Sequence, residues 1–422
     1  MIALVDCNSF FCSVEKVFHP GLDHKPVCVL SSNDGCIVAL TPEAKQLGLH
    51  RGDPIFKVRD IVEHNKVTVF STNMQLYAAM SQRIYSILRS SVHSLDRYSI
   101  DECMLYLDGY EKYYNLEEYM RSIACKIKLY TDIPVSVGIA PTKTLAKVGS
   151  KFAKQYKGYR SVCMIDTDEK RRKALSLFQL SDVWGIGKQT LQKLNYYGVN
   201  TPLEFADKKE SWVRSRFTKP GIQTWLELNG HPCIDTADVI RNKSICSSRS
   251  FGTMVSDLLS LKASVATFAS SCANKLRAQN GSAKTVTVFL SSNRFRYDLD
   301  QYANTASTTL LTPTSDTMEI TDAALKVLQN IYVPGIQYKK TGVIVSDIYN
   351  NNEIQHDLFD SISNRPERQE LMKAIDIINQ RYGPKTIQLT VEGEKKQPWK
   401  VKCDFKSPNY LTNIDEILTI NI

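Results

Sequence analysis

An acid ends the first apolar run of the chain, in the stretch Ile2-Ala3-Leu4-Val5-Asp6-Cys7-Asn8-Ser9-Phe10-Phe11. The apolar residues before it predict a short buried strand. A carboxylate at the end of such a strand is costly to bury unless a cation or hydrogen-bond donors compensate it. For any single Asp in this position, capping or ion pairing is the alternative interpretation. The role of Asp6 therefore depends on whether other acids join it.

A second acidic site, Asp101-Glu102, lies inside the strand-like stretch 98–107. Adjacent side chains of a regular strand point to opposite faces, so these two acids can share a cation only if the backbone bends between them. We therefore predict a bend at this point and expect both acids to meet Asp6. Three hard oxygen ligands suit Mg²⁺ or Mn²⁺, which accept waters and substrate oxygens as further ligands.

The rest of the chain predicts an α+β protein with several domains. A turn at Asn33-Asp34-Gly35 joins two strands into a hairpin, and Thr41 followed by Pro42 begins a short helix. Residues 166–235 read as a small helical domain. Periodicity predicts strands at 2–5, 27–30, 36–40, 135–139, 245–251, 285–291 and 341–348, and helices at 74–88, from 142 onward, and near 188–197, 259–279 and 315–332. The last seventy or so residues are polar, and we expect them to be partly ordered at best.

Composition sets the broad class. A chain of 422 residues with 43% hydrophobic and 23% charged residues predicts two to four folded domains. The net charge of +9 favours a polyanionic partner, although a basic surface can also serve solubility. The 11 cysteines include no C-x-x-C pair, which argues against a disulfide framework or zinc site and favours a reducing cytoplasm. We expect no signal peptide and no membrane span.

Basic residues cluster in two places. The positions Lys143, Lys147, Lys151 and Lys154 recur at helical spacing, which predicts one basic stripe opposite an apolar face and favours phosphate contact over a solvated surface. Residues 241–296 carry nine basic residues and a single acid, Asp257, which favours binding to a duplex backbone.

Two further motifs indicate a function less specifically. Gly185-Ile186-Gly187 opens a predicted helix and is typical of a helix-hairpin-helix turn that holds a DNA phosphate, although a simple turn is the alternative. The stretch 355–359 follows an asparagine-rich linker and could insert apolar side chains into a partner's pocket, or act as an ordinary loop anchor.

Taken together, these stretches resemble the Y-family DNA polymerases, and more closely the UmuC-type catalytic subunits of bacterial DNA polymerase V. The resemblance spans nearly the whole chain. It rests on the segments 6–11, 31–36, 98–102, 141–147, 183–187 and 355–359, in family order, and the Ser407-Pro408-Asn409-Tyr410 stretch is similar to the family's tail. It implies a right-hand architecture: palm (1–20 and 72–165), fingers (21–71), helical thumb (166–237), α+β little finger (238–349) and a clamp-binding and partner-binding tail (350–422).

The resemblance also implies residue roles. Asp6, Asp101 and Glu102 are similar to the carboxylates that hold two Mg²⁺ or Mn²⁺ ions, with the Cys7 backbone carbonyl as a further ligand. Phe11 resembles the steric gate that excludes ribonucleotides. The remaining assignments are Phe10, Lys45 and Lys154 for the nucleotide, Lys143, Lys147, Gly185, Gly187 and Arg249 for DNA, and Gln355, Leu358 and Phe359 for a sliding clamp. Lys45 stands where many relatives have Arg, and Pro42 stands where other branches have a phosphate-binding Tyr.

The implied activity is error-prone, template-directed DNA synthesis across lesions in an SOS-type damage response, without proofreading. Its implied partners are primer-template DNA, dNTPs, a sliding clamp, a UmuD-type protein and RecA, with no membrane, in a bacterial cytoplasm near the nucleoid. Two alternatives stay open from the residues themselves. Acids and basic faces also suit a metal-dependent nuclease, and a non-catalytic DNA-binding scaffold could be recruited to the clamp.

Overall fold

The described residues of the computed structural model are 1–235, 241–355, 360, 362, 364–393, 397 and 399–418. They form two compact units. Unit 1 is built from residues 1–31, 35–239 and 405–422, and unit 2 from residues 32–34 and 240–404, in each case as far as those ranges are described. The finer boundaries of palm, fingers, thumb, little finger and tail stay predictions.

The elements are numbered in chain order. The β-strands are β1 (Ile2–Cys7), β2 (Val27–Leu30), β3 (Ile37–Leu40), β4 (Thr68–Ser71), β5 (Ser94–Arg97), β6 (Glu102–Tyr106), β7 (Val135–Ala140), β8 (Val162–Met164), β9 (Ser244–Val255), β10 (Gly281–Ser292), β11 (Ala303–Thr314) and β12 (Tyr338–Asn350). The α-helices are α1 (Phe10–Phe18), α2 (Pro42–Gln46), α3 (Arg59–His64), α4 (Met74–Arg89), α5 (Leu116–Thr131), α6 (Lys143–Gln155), α7 (Asp168–Leu177), α8 (Lys188–Tyr196), α9 (Pro202–Ala206), α10 (Glu210–Arg216), α11 (Lys219–Leu228), α12 (Leu258–Ala278), α13 (Thr317–Ile331) and α14 (Arg365–Tyr382). Among the described residues, no helix combines the length and apolar character needed to span a bilayer.

The main sheet of unit 1 has the strand order β5-β6-β1-β7-β8. Strand β1 is central and runs antiparallel to both β6 and β7. Every residue of β7 is buried, which fits a strand covered on both faces. Because β1 is central, the acid at its end lies between two neighbouring strands rather than at a free edge.

A smaller sheet of unit 1 has the order β3-β2-β4. The predicted hairpin is confirmed, since β2 pairs antiparallel with β3. The predicted helix start is also confirmed, because the Thr41 hydroxyl accepts a hydrogen bond from the Ala44 amide and Pro42 occupies the first turn. Strand β4, which pairs in parallel with β2, was not predicted.

Helix α6 packs tightly on β7 because two glycines meet there. A Cβ on Gly138 would collide with the backbone oxygen of Ala146 and the backbone nitrogen of Ser150. A Cβ on Gly149 would lie 3.1 Å from the Gly138 Cα. This close approach brings the lysines of α6 within reach of the end of β1.

Unit 2 is an antiparallel sheet of order β11-β10-β12-β9, with α12 and α13 packed against it. The predicted α+β pattern is confirmed, but β11 was missed because its Thr- and Ser-rich sequence is largely exposed and shows little apolar alternation. The described part of the C-terminal tail contains regular structure and core contacts. Helix α14 spans 18 residues, and the Trp399 side chain is only 2% exposed in the core of unit 2.

We predict that Gly138→Ala destabilises the protein by about 1–3 kcal/mol or more, because backbone atoms of α6 cannot yield to the added methyl group. The matched control is Gly158→Ala, whose Cβ would meet no atom within 4 Å. Urea unfolding of both variants measures the difference. Equal unfolding free energies for the two variants would refute this account of the β7–α6 contact.

Candidate active site

The three predicted acids converge at one end of the main sheet. In the pairing of β1 with β6, Asp6 lies directly opposite Glu102. The next amide, that of Cys7, donates a hydrogen bond of 2.9 Å to the Asp101 carbonyl. Two stretches almost one hundred residues apart in sequence are thereby held in register, which brings the backbones of the three acids together. Their shared role around a cation stays a prediction.

The predicted bend between the acids is also confirmed, with one correction. The stretch 98–107 is not one strand, because β5 ends at Arg97 and β6 begins at Glu102. Ser99 organises the turn: its hydroxyl accepts from the amides of Asp101 (3.2 Å) and Glu102 (3.0 Å). The same hydroxyl donates to the Asp101 carboxylate at 2.6 Å.

Two lysines of α6 neutralise two of these carboxylates. Lys154 Nζ lies 2.9 Å from Asp6 Oδ1. Lys147 Nζ lies 3.0 and 3.2 Å from the two carboxylate oxygens of Glu102. Lys147 also lies 4.4 Å from the ring centre of Tyr98 and 5.2 Å from that of Trp184, which fixes its position by cation–π contact.

The site carries an excess of partly buried negative charge. Burial raises the pKa of Glu102 and the nearby Asp6 and Asp101 raise it further, whereas Lys147 opposes them. Burial also raises the pKa of the Cys7 thiol well above its usual value, with Asp6 and Asp101 adding to the shift. The Cys7 side chain is therefore a poor thiolate ligand, and only its backbone carbonyl suits the predicted role.

The donor set fits a hard divalent cation. Carboxylates and a backbone carbonyl are the ligands that Mg²⁺ and Mn²⁺ prefer, and the raised pKa of Glu102 is typical of a carboxylate in need of positive charge. Within the part of the chain that the structure describes, no three Asp, Glu, His or Cys side chains are arranged as a ready coordination cluster. In this arrangement the ammonium groups of Lys147 and Lys154 supply the compensating charge.

The two aromatic residues after Ser9 lie in different environments. Ser9 has a left-handed backbone with φ of 45° and precedes α1. Phe10 is 3% exposed and its ring packs in the core of unit 1, whereas its contact with a nucleotide stays a prediction. Phe11 is half-buried and stacks on Tyr77, with ring centres 4.6 Å apart and planes 16° apart.

The predicted basic stripe of α6 needs correction. Lys143 is 3% exposed, and its Nζ lies 5.5 Å from the ring centre of Tyr106, so it is not part of an exposed basic face. Its contact with DNA stays a prediction. Lys151 forms an ion pair with Asp182. The stripe therefore faces aromatic and acidic side chains of unit 1, which the spacing of the lysines alone could not reveal.

The remaining predicted residues lie on other elements of unit 1 or in unit 2. Lys45 is exposed on α2. Gly185 has a φ of +92°, and Gly187 precedes α8. In unit 2, Arg249 is exposed on β9, opposite Thr341, and Gln355 is exposed. The predicted clamp residues Leu358 and Phe359 lie outside the described residues.

Three residues that shape the site were not predicted. Ser99 could have been suspected from its place two residues before Asp101, because Ser hydroxyls often bond to nearby backbone amides in turns. Tyr77 lies within the predicted helix of residues 74–88, but periodicity gives no sign that it stacks on Phe11. Glu15, which accepts a hydrogen bond of 2.6 Å from the Tyr77 hydroxyl, is fully buried.

The fold defines a class of protein. A Y-family DNA polymerase chimera of Dbh and Dpo4 matches with a TM-score of 0.64, covering 83% of this chain and 100% of that chain at 22% identity. The insertion ternary complex of Dbh DNA polymerase matches with a TM-score of 0.54 and the same coverage and identity. The predicted right-hand Y-family fold is confirmed.

Sequence comparison places the chain within that class. Residues 5–151 match the impB/mucB/samB family, residues 242–358 match its C-terminal domain, and residues 369–420 match a domain of unknown function (DUF4113). Protein UmuC of Salmonella typhimurium (strain LT2) is 36% identical over 422 residues, covering 100% of both chains. Protein MucB of Escherichia coli is 34% identical over 414 residues, covering 98% of each. The chain therefore belongs to the impB/mucB/samB family of Y-family DNA polymerases, as the UmuC-type resemblance predicted, and the predicted class of translesion, DNA-directed DNA polymerase is confirmed.

We predict that Lys147→Met and Glu102→Gln are energetically coupled. Removing Lys147 leaves the half-buried Glu102 carboxylate unpaired, and Glu102→Gln relieves that cost, so the double variant should be more stable than the sum of the single changes by about 0.5–3 kcal/mol. Urea unfolding of the four proteins measures the coupling.

The matched control for this cycle is Lys151→Met on the same helix, because Lys151 pairs with Asp182 instead. Its effect should add to that of Glu102→Gln within about 0.5 kcal/mol. Additivity for Lys147 as well would contradict the ion pair seen here.

Proposed function

We propose that Asp6, Asp101 and Glu102 hold two Mg²⁺ ions, or Mn²⁺ in their place, and that the chain uses this site to extend DNA primers across template lesions. The observation that carries the proposal is the register of β1 with β6, which sets Asp6 opposite Glu102. The Cys7 carbonyl would complete the ligand set. Bound there, two divalent ions would lower the pKa of the primer 3′-hydroxyl and neutralise charge on the triphosphate.

The lysines of α6 suit two states of this site. Without cations, Lys154 and Lys147 compensate Asp6 and Glu102 through the ion pairs described above. Once the carboxylates are neutralised by other charges, the Lys154 ammonium becomes available to the phosphates of an incoming nucleotide, and the Lys147 ammonium becomes available to the phosphates of DNA. Lys45 on α2 supplies a further basic group, as a point charge rather than a bidentate fork.

Phe11 is proposed as the steric gate under the sugar of the incoming nucleotide. Its stacking on Tyr77 supports this role, because a ring held against a second ring cannot move aside to admit a 2′-hydroxyl. The selection acts by exclusion, and it therefore depends on how firmly the Phe11–Tyr77 pair is held.

The proposed partners come from the family resemblance and from charge. Primer-template DNA would contact Lys147, the Gly185 to Gly187 turn and Arg249, and the stretch from Gln355 to Phe359 would bind a sliding clamp, converting weak DNA affinity into tethered synthesis. A UmuD-type protein and RecA complete the proposed assembly, which would act at the nucleoid of a bacterial cytoplasm during an SOS-type response.

We predict that Asp101→Asn and Asp6→Asn each reduce primer extension past an abasic site by at least about 100-fold, because each removes a charged ligand. The assay contains four dNTPs, Mg²⁺, the UmuD-type partner and a RecA filament. Asp108→Asn is the matched control, since Asp108 pairs with the N-terminal amine instead and should retain extension.

The same assay separates the rival functions. A nuclease would shorten the primer rather than lengthen it, and a non-catalytic scaffold would bind the primer-template without changing its length in either direction. Wild-type extension that survives in Asp101→Asn would exclude the proposed role of this carboxylate.

We predict that Phe11→Ala relaxes the discrimination between dNTPs and ribonucleotides by about 10- to 200-fold, because the 2′-hydroxyl then meets space instead of a ring. The ratio of kcat/KM values for the two nucleotides measures this change. Phe56→Ala, at a side chain that is 73% exposed in unit 1, is the control and should leave the ratio unchanged.

A further inference from the structure

The C-terminal segment, residues 405–413, is built into unit 1. The Ser71 amide donates to the Phe405 carbonyl at 2.9 Å, and the Phe405 amide donates to the Ser71 hydroxyl at 2.9 Å. Ser71 and Lys406 form a parallel β-bridge. Since β4 is the edge strand of its sheet, the segment covers an edge that would otherwise expose unpaired backbone groups.

The same segment fixes the start of α4. Asn73, which is fully buried, caps this helix by accepting from the Leu76 amide. Its side-chain amide donates to the Ser407 carbonyl at 2.9 Å, the Ser407 hydroxyl at 3.2 Å and the Pro408 carbonyl at 3.3 Å. A buried amide is costly without such partners, so the segment and the beginning of α4 depend on each other.

A second buried group connects the segment to Phe11. Glu15 is fully buried, and its Oε1 accepts from the Ser407 hydroxyl at 3.0 Å and from the Tyr77 hydroxyl at 2.6 Å. Tyr77 is the residue on which Phe11 stacks. A continuous series of contacts therefore runs from Ser407 through Glu15 and Tyr77 to Phe11.

An aromatic contact anchors the other end of α1. Tyr410 stacks on Phe18, with ring centres 4.7 Å apart and planes 18° apart. Helix α1 is thus held by the segment near Glu15 and again at Phe18, its last residue. Since Phe11 lies in the first turn of α1, the segment supports the helix that carries the proposed gate.

We propose that residues 405–413 act as a brace that positions Phe11, so that Ser407 contributes to the discrimination between deoxyribonucleotides and ribonucleotides. The inference rests on the gate role proposed for Phe11 and gives a positioning function to part of the domain of unknown function. The brace acts through Tyr77. Without the Ser407 hydroxyl, the Glu15 carboxyl loses one of its two hydrogen-bond donors. The Tyr77 hydroxyl then donates to an acceptor that is held less firmly, and the Tyr77 ring is less well fixed.

The test measures the kcat/KM ratio for a dNTP against its ribonucleotide in Ser407→Ala, Tyr77→Phe and the double variant, with primer-template affinity recorded in parallel. Tyr77→Phe removes the hydroxyl and keeps the ring. We expect each single change to relax the ratio by about three- to tenfold, with DNA affinity unchanged. The double variant should equal the single ones, because both remove the same link.

The control is Ile414→Ala, at a side chain that is 81% exposed just beyond the brace, and its ratio should stay within twofold of wild type. Phe11→Ala is measured alongside. If Phe11→Ala relaxes the ratio but Ser407→Ala and Tyr77→Phe do not, the brace is refuted and the gate stands. If Phe11→Ala leaves the ratio unchanged, both the gate role of Phe11 and the positioning role of the brace are refuted. Tyr77→Phe keeps the test decisive should Ser407→Ala fail to fold.

Discussion

Unit 1 must offset the repulsion between carboxylates that its main sheet brings together. The register of β1 with β6 leaves Asp6 opposite Glu102, with Asp101 in the adjoining turn. Asp6 and Asp101 raise the pKa of the half-buried Glu102, and such like charges destabilise the fold unless positive charge lies nearby. Helix α6 provides that charge, and it can do so only because Gly138 lets it approach β7 closely. The glycine contact therefore places the lysines of α6 where they can meet the charge requirement that the acids create.

This requirement explains which parts of the site the sequence could predict. An acid at the end of an apolar run, as at Asp6, is a local signal, and so is the acidic pair that interrupts the stretch 98–107. The partners of these acids are not local. Lys147 is 45 residues from Glu102, and Lys154 is 148 residues from Asp6. Helical spacing correctly predicted that the lysines share a face, but spacing carries no information on what the face covers, so the pairing of Lys147 with Glu102 and of Lys151 with Asp182 could not be foreseen.

The C-terminal region shows the same limit for polar residues. Its composition predicted partial order, because a polar segment ordinarily lacks the apolar area that offsets the entropy of ordering. Composition alone does not show whether the polar groups of a segment form hydrogen bonds with buried polar groups elsewhere in the protein. Ser407 bonds to Asn73 and Glu15, at sequence separations of 334 and 392 residues, and Trp399 packs into the core of unit 2. Order here comes from buried hydrogen bonds at Ser407 and from apolar packing at Trp399, and both contacts become visible only once the fold brings distant residues together.

Two separate supports converge on one short stretch, residues 6–11. The end of β1 is held by charge, through the lysines of α6, and the beginning of α1 is held by hydrogen bonds and ring stacking, through Tyr77 and Glu15. Between them, Ser9 turns the chain with a left-handed backbone. Charge interactions in a partly exposed site are screened by salt, whereas a buried hydrogen-bond series is much less affected. The functions proposed for Asp6 and for Phe11 should therefore respond to different physical conditions, although only four residues separate these two positions in the chain.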